Sequence, residues 1–467
     1  MLNNFIALTI GPITSTLSKA RRVKEFWFVS FLFSQIMNRI TKQVFDSHTD
    51  KSDIVLPYIE QEKDFEMKKV GIFPDWLIFK SQEGDYGLIK TYITNSIETL
   101  AEDLEVGEIK KGVIIKFLTD YLKIYYFEQN NVTGNPILTL SPTLHQIELQ
   151  NPIYETDTTG LLYQLFKLLY KTKFYSKHYR DNADDRHESI EEIATRDLKT
   201  KLIDGENAYK KLLRETSFKK EENEDTNSGN IKEDLEFFPK LITAVKQYDK
   251  IKNNEISSFK SFHKYIAIVK ADGDKIGTTL ASISEGKEGA FSEKLFKWGI
   301  EAKKLIIDYE GLPLYVGGDD MLFFAPIVNG SINILELIEN INKVFENQFI
   351  DYEVKPTLSF GVSITYYKYP LFEAMENADE LLYLAKKQGG NGIFTQLLKH
   401  SGASFKLFID LKEDNLFKTI VDKLVAADTK SSVISAVSYY LRDNEKVFET
   451  IGFKVDRIDA FFKNNIE

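Results

Sequence analysis

The sequence contains no cysteine among its 467 residues. Disulfide bonds and zinc sites built from thiolates are therefore excluded, and a reducing compartment is expected. Long apolar runs are also missing, since the longest, FWFVSFLF at residues 26–33, is far too short to cross a bilayer. No basic region precedes the apolar stretch at the N-terminus, as it would in an export signal. We predict a cytoplasmic protein without a membrane anchor.

An excess of basic residues is missing too. The chain has 60 Lys and Arg against 70 Asp and Glu, a formal charge of −10, so its whole surface is not designed to coat nucleic acid. One local candidate is YKTKFYSKHYR at residues 170–180, where cations alternate with Tyr175 and Tyr179 and the rings could stack on RNA bases. The solvated face of an amphipathic helix is the favoured interpretation of this stretch.

Composition divides the chain into two parts of different character. Residues 219–234, KKEENEDTNSGNIKED, are dense in charge and nearly free of large apolar side chains, which predicts a mobile loop. Before this loop, residues 98–213 have mostly helical apolar spacing. After it, strand-like and helix-like segments alternate, so the second part is the better candidate for an α+β domain.

The order of elements in that second part is readable. Strands are predicted at residues 265–271, on both sides of residues 317–320 and at 357–365, and helices at 292–308, 331–346 and 371–388. The order β, α, β, β, α, β, α begins with the split βαβ arrangement of ferredoxin-like folds. In that fold the first strand lies beside the central hairpin, so the end of the first strand can face the hairpin turn.

Four carboxylates are predicted to meet at that place. Asp272 and Asp274 follow the first strand in ADGD, and Asp319 and Asp320 form the turn in LPLYVGGDDMLFFAP. These charges repel one another, and one or two Mg²⁺ or Mn²⁺ ions, which prefer oxygen ligands, would remove the penalty. Each motif alone is an ordinary turn composition, and the metal interpretation depends on their combination at strand ends in this fold order.

Glycines and a lysine beside the carboxylates suit nucleotide binding. Gly317 and Gly318 allow positive φ in a tight turn and leave room for a triphosphate against the backbone. Lys386 lies near a helix end before the turn QGGNG, where its ammonium could contact a triphosphate. An exposed lysine that neutralises a helix C-terminus is the alternative, and spacing alone favours it.

Four stretches carry a resemblance to a known family: AIVKADGDKIG, LYVGGDDMLFF, LSFGVSI and ADELLYLAKKQGGNGI. Together they resemble the cyclase–polymerase palm that GGDEF-type diguanylate cyclases share with the large subunit of type III CRISPR effector complexes. The turn reads GGDD rather than GGDEF, and residues 6–37 and 70–80 are similar to the N-terminus of the Cmr-type (III-B) large subunit. The resemblance therefore favours the CRISPR subunit.

The two ends of the chain also resemble each other. FIALTIGP aligns with YIAIVKAD, and IFPDWLIF aligns with VGGDDMLF, although two apolar strands can match by chance. In the first copy Gly11 and Pro12 replace Ala271 and Asp272, and Asp75 alone remains of the acidic pair. We expect the first palm to be a structural partner of the second.

The resemblance implies an α+β chain with two ferredoxin-like palm domains, a helical insertion and a helical C-terminal domain. The expected domains are a degenerate palm at 1–97, a mostly helical middle domain at 98–260, the GGDD palm at 261–400 and the C-terminal domain at 401–467. The implied activity is a target-RNA-activated nucleotidyltransferase that uses ATP and two divalent ions to make a second messenger. Guide RNA, target RNA and other Cmr-type subunits are the implied partners.

Site residues carry over from the family by motif. The implied catalytic metal ligands are Asp272, Asp319 and Asp320, with Asp274 as a supporting carboxylate and further ligand. The implied nucleotide contacts are Gly273, Asp274, Gly317, Gly318 and Lys386.

The sequence departs from the family in two ways. None of its six histidines is followed by aspartate, so the HD nuclease activity of many members is not expected, and without cysteine the four-cysteine zinc site is impossible. The product stays open between cyclic oligoadenylates and AMP joined to S-adenosylmethionine. A stand-alone GGDEF-like cyclase and a noncatalytic scaffold of an RNA-guided complex are the competing functions.

Overall fold

The computed structural model describes residues 3–149, 160–180, 187–201, 231–251, 253, 258–283 and 287–412. Residues 219–230 of the predicted loop, and the predicted C-terminal helical domain beyond residue 412, lie outside these described residues. The loop prediction was wrong for residues 231–234, which begin a helix. Within the described ranges, no helix is both long enough and apolar enough to cross a bilayer.

The first sheet has four antiparallel strands in the order β2-β3-β1-β4, which is the ferredoxin-like arrangement. Its strands are β1 (Phe5–Gly11), β2 (Ile54–Leu56), β3 (Trp76–Lys80) and β4 (Lys123–Gln129). Its helices are α1 (Ile13–Leu17), α2 (Val23–Ser47), α3 (Asp85–Leu104) and α4 (Lys111–Tyr121). The palm therefore extends past the predicted boundary at residue 97. The fourth strand was missed because two helices precede it and their apolar spacing dominates that region.

Helices make up most of the described middle region. They are α5 (Pro136–Leu149), α6 (Leu161–Leu168), α7 (Lys173–His178), α8 (Ile190–Ala194) and α9 (Ile231–Ile251). The rings of Tyr175 and Tyr179 pack on Trp27, with centroids 5.8 and 5.2 Å apart, and both tyrosines are buried. They cannot stack on RNA bases, so the RNA hypothesis for residues 170–180 was wrong in its aromatic part.

The second sheet has six strands in the order β12-β11-β10-β5-β7-β6. Its strands, with the small hairpin β8–β9, are β5 (Tyr265–Asp274), β6 (Leu312–Gly317), β7 (Asp320–Pro326), β8 (Val328–Asn329), β9 (Ile332–Asn333), β10 (Thr357–Tyr366), β11 (Gly392–Leu398) and β12 (Ser404–Asp410). Its helices are α10 (Ile276–Ser282), α11 (Glu288–Asp308), α12 (Ile334–Gln348) and α13 (Leu371–Lys387).

The predicted order of elements is confirmed in this second palm. Strands β10, β5, β7 and β6 form its antiparallel ferredoxin-like core. Strand β11 then adds parallel to β10, and β12 adds antiparallel to β11. The sheet thus continues past residue 400, so the start of the predicted helical C-terminal domain at 401 was wrong: residues 404–410 are an edge strand.

Helix α2 joins the two palms. Nineteen of its 25 residues are buried, which is the pattern of a helix packed on all sides rather than an amphipathic surface helix. The Glu25 carboxylate caps its first turn by accepting from the backbone N–H groups of Arg21 (2.7 Å) and Arg22 (3.2 Å). Its apolar side chains share one core with Ile266, Ile268 and other residues of the second sheet.

Two further contacts fix the palms against each other. The ring of Phe26 in α2 meets the ring of Phe324 in β7 edge to face, with centroids 6.0 Å apart. Gly71, before β3, pairs in parallel with Tyr315 of β6, and the Val316 N–H donates to the Gly71 carbonyl oxygen at 3.0 Å. A segment of the first palm therefore runs directly alongside the hairpin that carries the GGDD turn.

We expect Phe26→Ala to destabilise the whole chain, because it empties a fully buried volume in the core shared by the palms. The loss should be about 3–5 kcal/mol of unfolding free energy, seen as a fall of several degrees in the unfolding temperature. Phe405→Ala is the matched control, since Phe405 is 56% exposed and Phe26 is 1% exposed. Equal shifts in the two variants would contradict the shared core.

Candidate active site

The GGDD turn closes the β6–β7 hairpin, with Gly317 paired to Asp320. Gly318 has a φ of +62°, whereas Asp319 has no positive φ, as in a type II′ turn. The expectation that both glycines adopt positive φ was wrong for Gly317. Position 317 requires glycine for a different reason, which is the close approach of the first palm. A Cβ there would lie 2.8 Å from the Ile72 carbonyl oxygen.

Strand β5 brings the DGD motif to this turn. It lies between β10 and β7 and continues through Asp274, rather than ending at residue 271. A Cβ on Gly273 would lie 2.8 Å from the Asp319 Cβ, so only glycine leaves room for the turn to sit against the strand. The predicted adjacency of the first strand and the hairpin turn is therefore present.

Asp319 and Asp320 form the centre of the acidic site. Burial raises the pKa of Asp319, and the carboxylates of Asp75 and Asp274 raise it further against backbone hydrogen bonds that lower it. Burial, followed by the charges of Asp319 and Asp75, raises the pKa of Asp320 well above its usual range. Asp320 is nevertheless exposed to solvent at the end of the turn. A bound cation would offset the repulsion between such carboxylates.

Lys386, at the end of α13, reaches Asp272. Its ammonium forms an ion pair with the Asp272 carboxylate and donates to the Gly273 carbonyl oxygen at 3.0 Å. Partial burial lowers the pKa of Lys386, so the alternative of a free, solvated helix-end lysine does not describe it. Lys270, which the sequence analysis did not identify, lies on β5 with Asp272 and pairs with Asp379 of α13.

The charge of Asp274 raises the pKa of Asp319, but its hydrogen bonds go to groups outside the acidic turn. Asp274 accepts hydrogen bonds from the Ser359 and Thr357 hydroxyls of β10 and from the Asn391 backbone N–H. The predicted convergence of four carboxylates is therefore not what the structure shows. In the described parts of the chain, no group of three or more His, Asp or Glu side chains is arranged to hold a metal ion.

The first palm contributes a residue that we expected to be only a remnant. Asp75 precedes β3, raises the pKa of both turn carboxylates and lines a pocket of about 300 Å³ together with Glu148, Lys123 and Tyr125. Burial, and then the Glu148 charge, raises the pKa of Asp75 to about 6. The internal resemblance, which aligns Asp75 with Asp319, was the signal that pointed to this position.

Asp272, Asp319 and Asp320 supply the type of oxygen donor that a hard cation prefers, although the described residues do not gather three of them into one ligand group. The β5–β7 register, which pairs Ala271 with Met321, brings the end of β5 beside the turn that carries Asp319 and Asp320, and burial raises the pKa of both turn carboxylates. Mg²⁺ and Mn²⁺ prefer such carboxylate ligands. A divalent ion would compete with Lys386 for Asp272, which frees the lysine for an anionic ligand.

Two family descriptions match this chain. The N-terminal domain of CRISPR-associated protein Cmr2 matches residues 5–109, and the second palm domain of Cas10/Cmr2 matches residues 265–394. Cmr2 of the CRISPR system Cmr from Pyrococcus furiosus is 30% identical over 172 residues. That alignment covers 30% of this chain and 19% of the relative, so it spans less than a fifth of the relative's length.

Solved structures show the same fold. The chain is similar to a subunit of type III-B Cmr-beta bound to cognate target RNA, with a TM-score of 0.59, 11% identity, and coverage of 99% of this chain and 78% of the other. For the apo state of Cmr-beta the TM-score is 0.53 at 11% identity, with 88% and 71% covered. A Csm1–Csm4 cassette in complex with AMPPNP gives 0.51 at 11% identity, with 95% and 62% covered.

These matches agree with the architecture. One family description falls on the first palm and the other on the second, and the two sheets have the ferredoxin-like strand order independently. The chain belongs to the Cas10/Cmr2 family of CRISPR large subunits.

Proposed function

We propose that this chain is the nucleotidyltransferase subunit of a type III-B CRISPR effector complex in the cytoplasm. It would use ATP and divalent metal ions to make a nucleotide second messenger when guide RNA in the complex pairs with target RNA. The observation that carries the proposal is the junction of β5 and the GGDD turn, where Lys386 pairs with Asp272 and Gly273 packs against Asp319 in the palm of a Cas10/Cmr2 chain.

Each residue of the junction has a role in this proposal. Asp272, Asp319 and Asp320 would hold two Mg²⁺ or Mn²⁺ ions, which when bound would activate the attacking hydroxyl and stabilise the leaving pyrophosphate. Lys386 would turn from Asp272 to the triphosphate. A Cβ at Gly318 would meet nothing within 4 Å, so the outer side of the turn is open to the nucleotide.

The acceptor would enter from the side of the first palm. Asp75, whose charge acts on both turn carboxylates, lines the pocket together with Glu148, and Glu148 is held by the Thr9 hydroxyl (2.7 Å) and the Trp76 indole N–H (2.5 Å). A ribose hydroxyl of a second ATP would give cyclic oligoadenylates, and S-adenosylmethionine would give an AMP conjugate. Both acceptors belong to the proposal. Other Cmr-type subunits and the paired RNAs are the proposed partners, by analogy with the RNA-bound Cmr-beta complex.

The decisive experiment supplies radiolabelled ATP or GTP with Mg²⁺ or Mn²⁺ to the chain assembled with guide RNA and partner subunits. Target RNA and S-adenosylmethionine are each added or omitted, and the products are identified directly. We expect an ATP-derived product that requires target RNA, and a loss of at least about 100-fold in Asp319→Ala/Asp320→Ala, because the metal ligands are removed. Asp308→Ala/Asp351→Ala is the matched control, since both aspartates are exposed.

Other outcomes assign the chain to the competing functions. Equal products from the wild type and Asp319→Ala/Asp320→Ala would overturn the active site. Synthesis that ignores target RNA would overturn the RNA-activated part, and a GTP-derived dinucleotide would indicate a GGDEF-like cyclase. Absence of every product in the complete, target-bound assembly would indicate a scaffold.

Divalent ions should stabilise the chain in a pH-dependent way. The folded-state pKa values of Asp319 and Asp320 are raised, so the stability they contribute is present at low pH and is lost as the pH rises through those values. Mg²⁺ and Mn²⁺ bind the ionised carboxylates and compensate for that loss. The metal-induced rise in unfolding temperature should therefore be larger at pH 7.5 than at pH 5.

Scanning fluorimetry with and without millimolar Mn²⁺ measures this effect. Asp319→Asn/Asp320→Asn keeps the shape of the turn while it removes both charges, and it should abolish the pH-dependent part of the rise. A variant that responds like the wild type would show that the metal binds elsewhere.

A further inference from the structure

We propose that Asp274 is a positioning residue rather than a metal ligand: its carboxylate holds the turn after α13 and thereby sets Lys386 against Asp272. This inference rests on the proposed function of the junction. It differs from the expectation that Asp274 completes the metal site, and it assigns a role to a residue whose sequence position alone suggests a ligand.

The Asp274 carboxylate contacts hydroxyls of β10 and a backbone N–H of the turn after α13. Its Oδ1 accepts from the Ser359 hydroxyl at 2.9 Å, and its Oδ2 lies 2.8 Å from that hydroxyl and 3.1 Å from the Thr357 hydroxyl. Oδ2 also accepts from the Asn391 N–H at 2.8 Å. Neutral donors thus occupy both oxygens. These hydrogen bonds tie the carboxylate to β10 and to the turn after α13, which is a structural role that needs no metal.

The turn after α13 packs around this carboxylate. Gly389, Gly390 and Asn391 have φ values of +104°, +71° and +52°. A Cβ on Gly390 would lie 2.7 Å from the Asp274 Cγ, so a side chain there would displace the carboxylate. The Leu411 N–H donates to the Asn391 carbonyl oxygen at 3.0 Å, which ties the same turn to the end of β12.

Backbone hydrogen bonds connect this turn to Lys386. The Gly389 N–H donates to the Lys386 carbonyl oxygen at 3.1 Å, and the Gly390 N–H donates to the Ala385 carbonyl oxygen at 3.3 Å, so the turn closes the last turn of α13. From that last turn the Lys386 side chain returns to Asp272 and to the Gly273 carbonyl oxygen. A continuous series of contacts therefore surrounds the end of β5. It runs from Asp274 through the turn and the end of α13 to Lys386, which contacts Asp272.

This series of contacts explains why Asp272 and Asp274, two carboxylates on one strand, have different partners. Asp272 and Asp274 lie on the same face of β5, opposite Ser359 and Thr357 of β10. Asp272 pairs with the Lys386 ammonium, whereas Asp274 accepts from two hydroxyls of β10 and from a backbone N–H of the turn. The ammonium of Lys386, the candidate triphosphate contact, depends on the second carboxylate for its position.

The test compares Asp274→Asn and Ser359→Ala with Asp319→Asn in the assembled, target-bound complex. If Asp274 positions Lys386, Asp274→Asn and Ser359→Ala should raise the KM for ATP by about 3–10-fold, while the half-saturating Mn²⁺ concentration stays within about 2-fold of wild type. Asp319→Asn should instead raise the half-saturating Mn²⁺ concentration by about 10-fold or more. Ser359→Ala removes one donor only, so it remains informative where Asp274→Asn folds poorly.

A double-mutant cycle sharpens the result. The effect of Asp274→Asn on the KM for ATP should largely disappear when Lys386 is already replaced by alanine, because both changes act through the same ammonium. Fully additive effects would overturn the proposal. So would a Mn²⁺ requirement in Asp274→Asn that matches Asp319→Asn while Ser359→Ala behaves as wild type, since that pattern identifies a ligand.

One readout does not depend on synthesis. Free Mn²⁺ is measured by electron paramagnetic resonance while the complex is titrated with Mn²⁺, without ATP. Asp274→Asn should bind Mn²⁺ as the wild type does, and Asp319→Asn should bind it more weakly. If no sample makes a product, the proposed function fails, whereas this titration still decides whether Asp274 is a ligand.

Discussion

Mutual repulsion among carboxylates at the boundary of the two palms is the constraint on which this site depends. Burial raises the pKa of both Asp319 and Asp320, the charge of Asp319 raises the pKa of Asp320 further, and Asp75 of the first palm raises both. A fold keeps such an arrangement only where something else holds the backbone in place. Here the hairpin is held by β5 on one side and by the segment around Gly71 on the other.

The two palms work as one scaffold. Helix α2 belongs to the first palm by connectivity, yet it shares its core with the second sheet, and Phe26 meets Phe324 across the boundary. Gly317 is a glycine because the first palm's Ile72 carbonyl approaches it. The first palm is therefore more than a passive partner, since it sets the surroundings of the GGDD turn and supplies Asp75 to them.

The aspartates of the site differ in the groups that balance their charges. Asp272 is balanced by Lys386, a cation that other charges can replace. Asp274 is satisfied by hydroxyls and a backbone N–H, which suits a permanent structural role. The Asp319 carboxylate accepts backbone hydrogen bonds at the turn, and Asp320 is exposed to solvent. Three environments thus separate four aspartates that sequence spacing presents as equivalent.

The order of strands and helices, the GGDD turn, the adjacent β5 strand and the family were all readable from the sequence, because local periodicity and short motifs encode them. The fourth strand of the first palm and the edge strand β12 were not, since their pairing partners lie far away along the chain and their own patterns are weak. The same holds for side-chain roles. Sequence placed Asp272 and Asp274 two residues apart on one face of a strand, but only packing decided that Lys386 meets the first and that Ser359, Thr357 and Asn391 meet the second. Likewise, only the docking of the two palms brought Asp75 to the turn, because contacts between distant segments depend on the whole core rather than on local spacing.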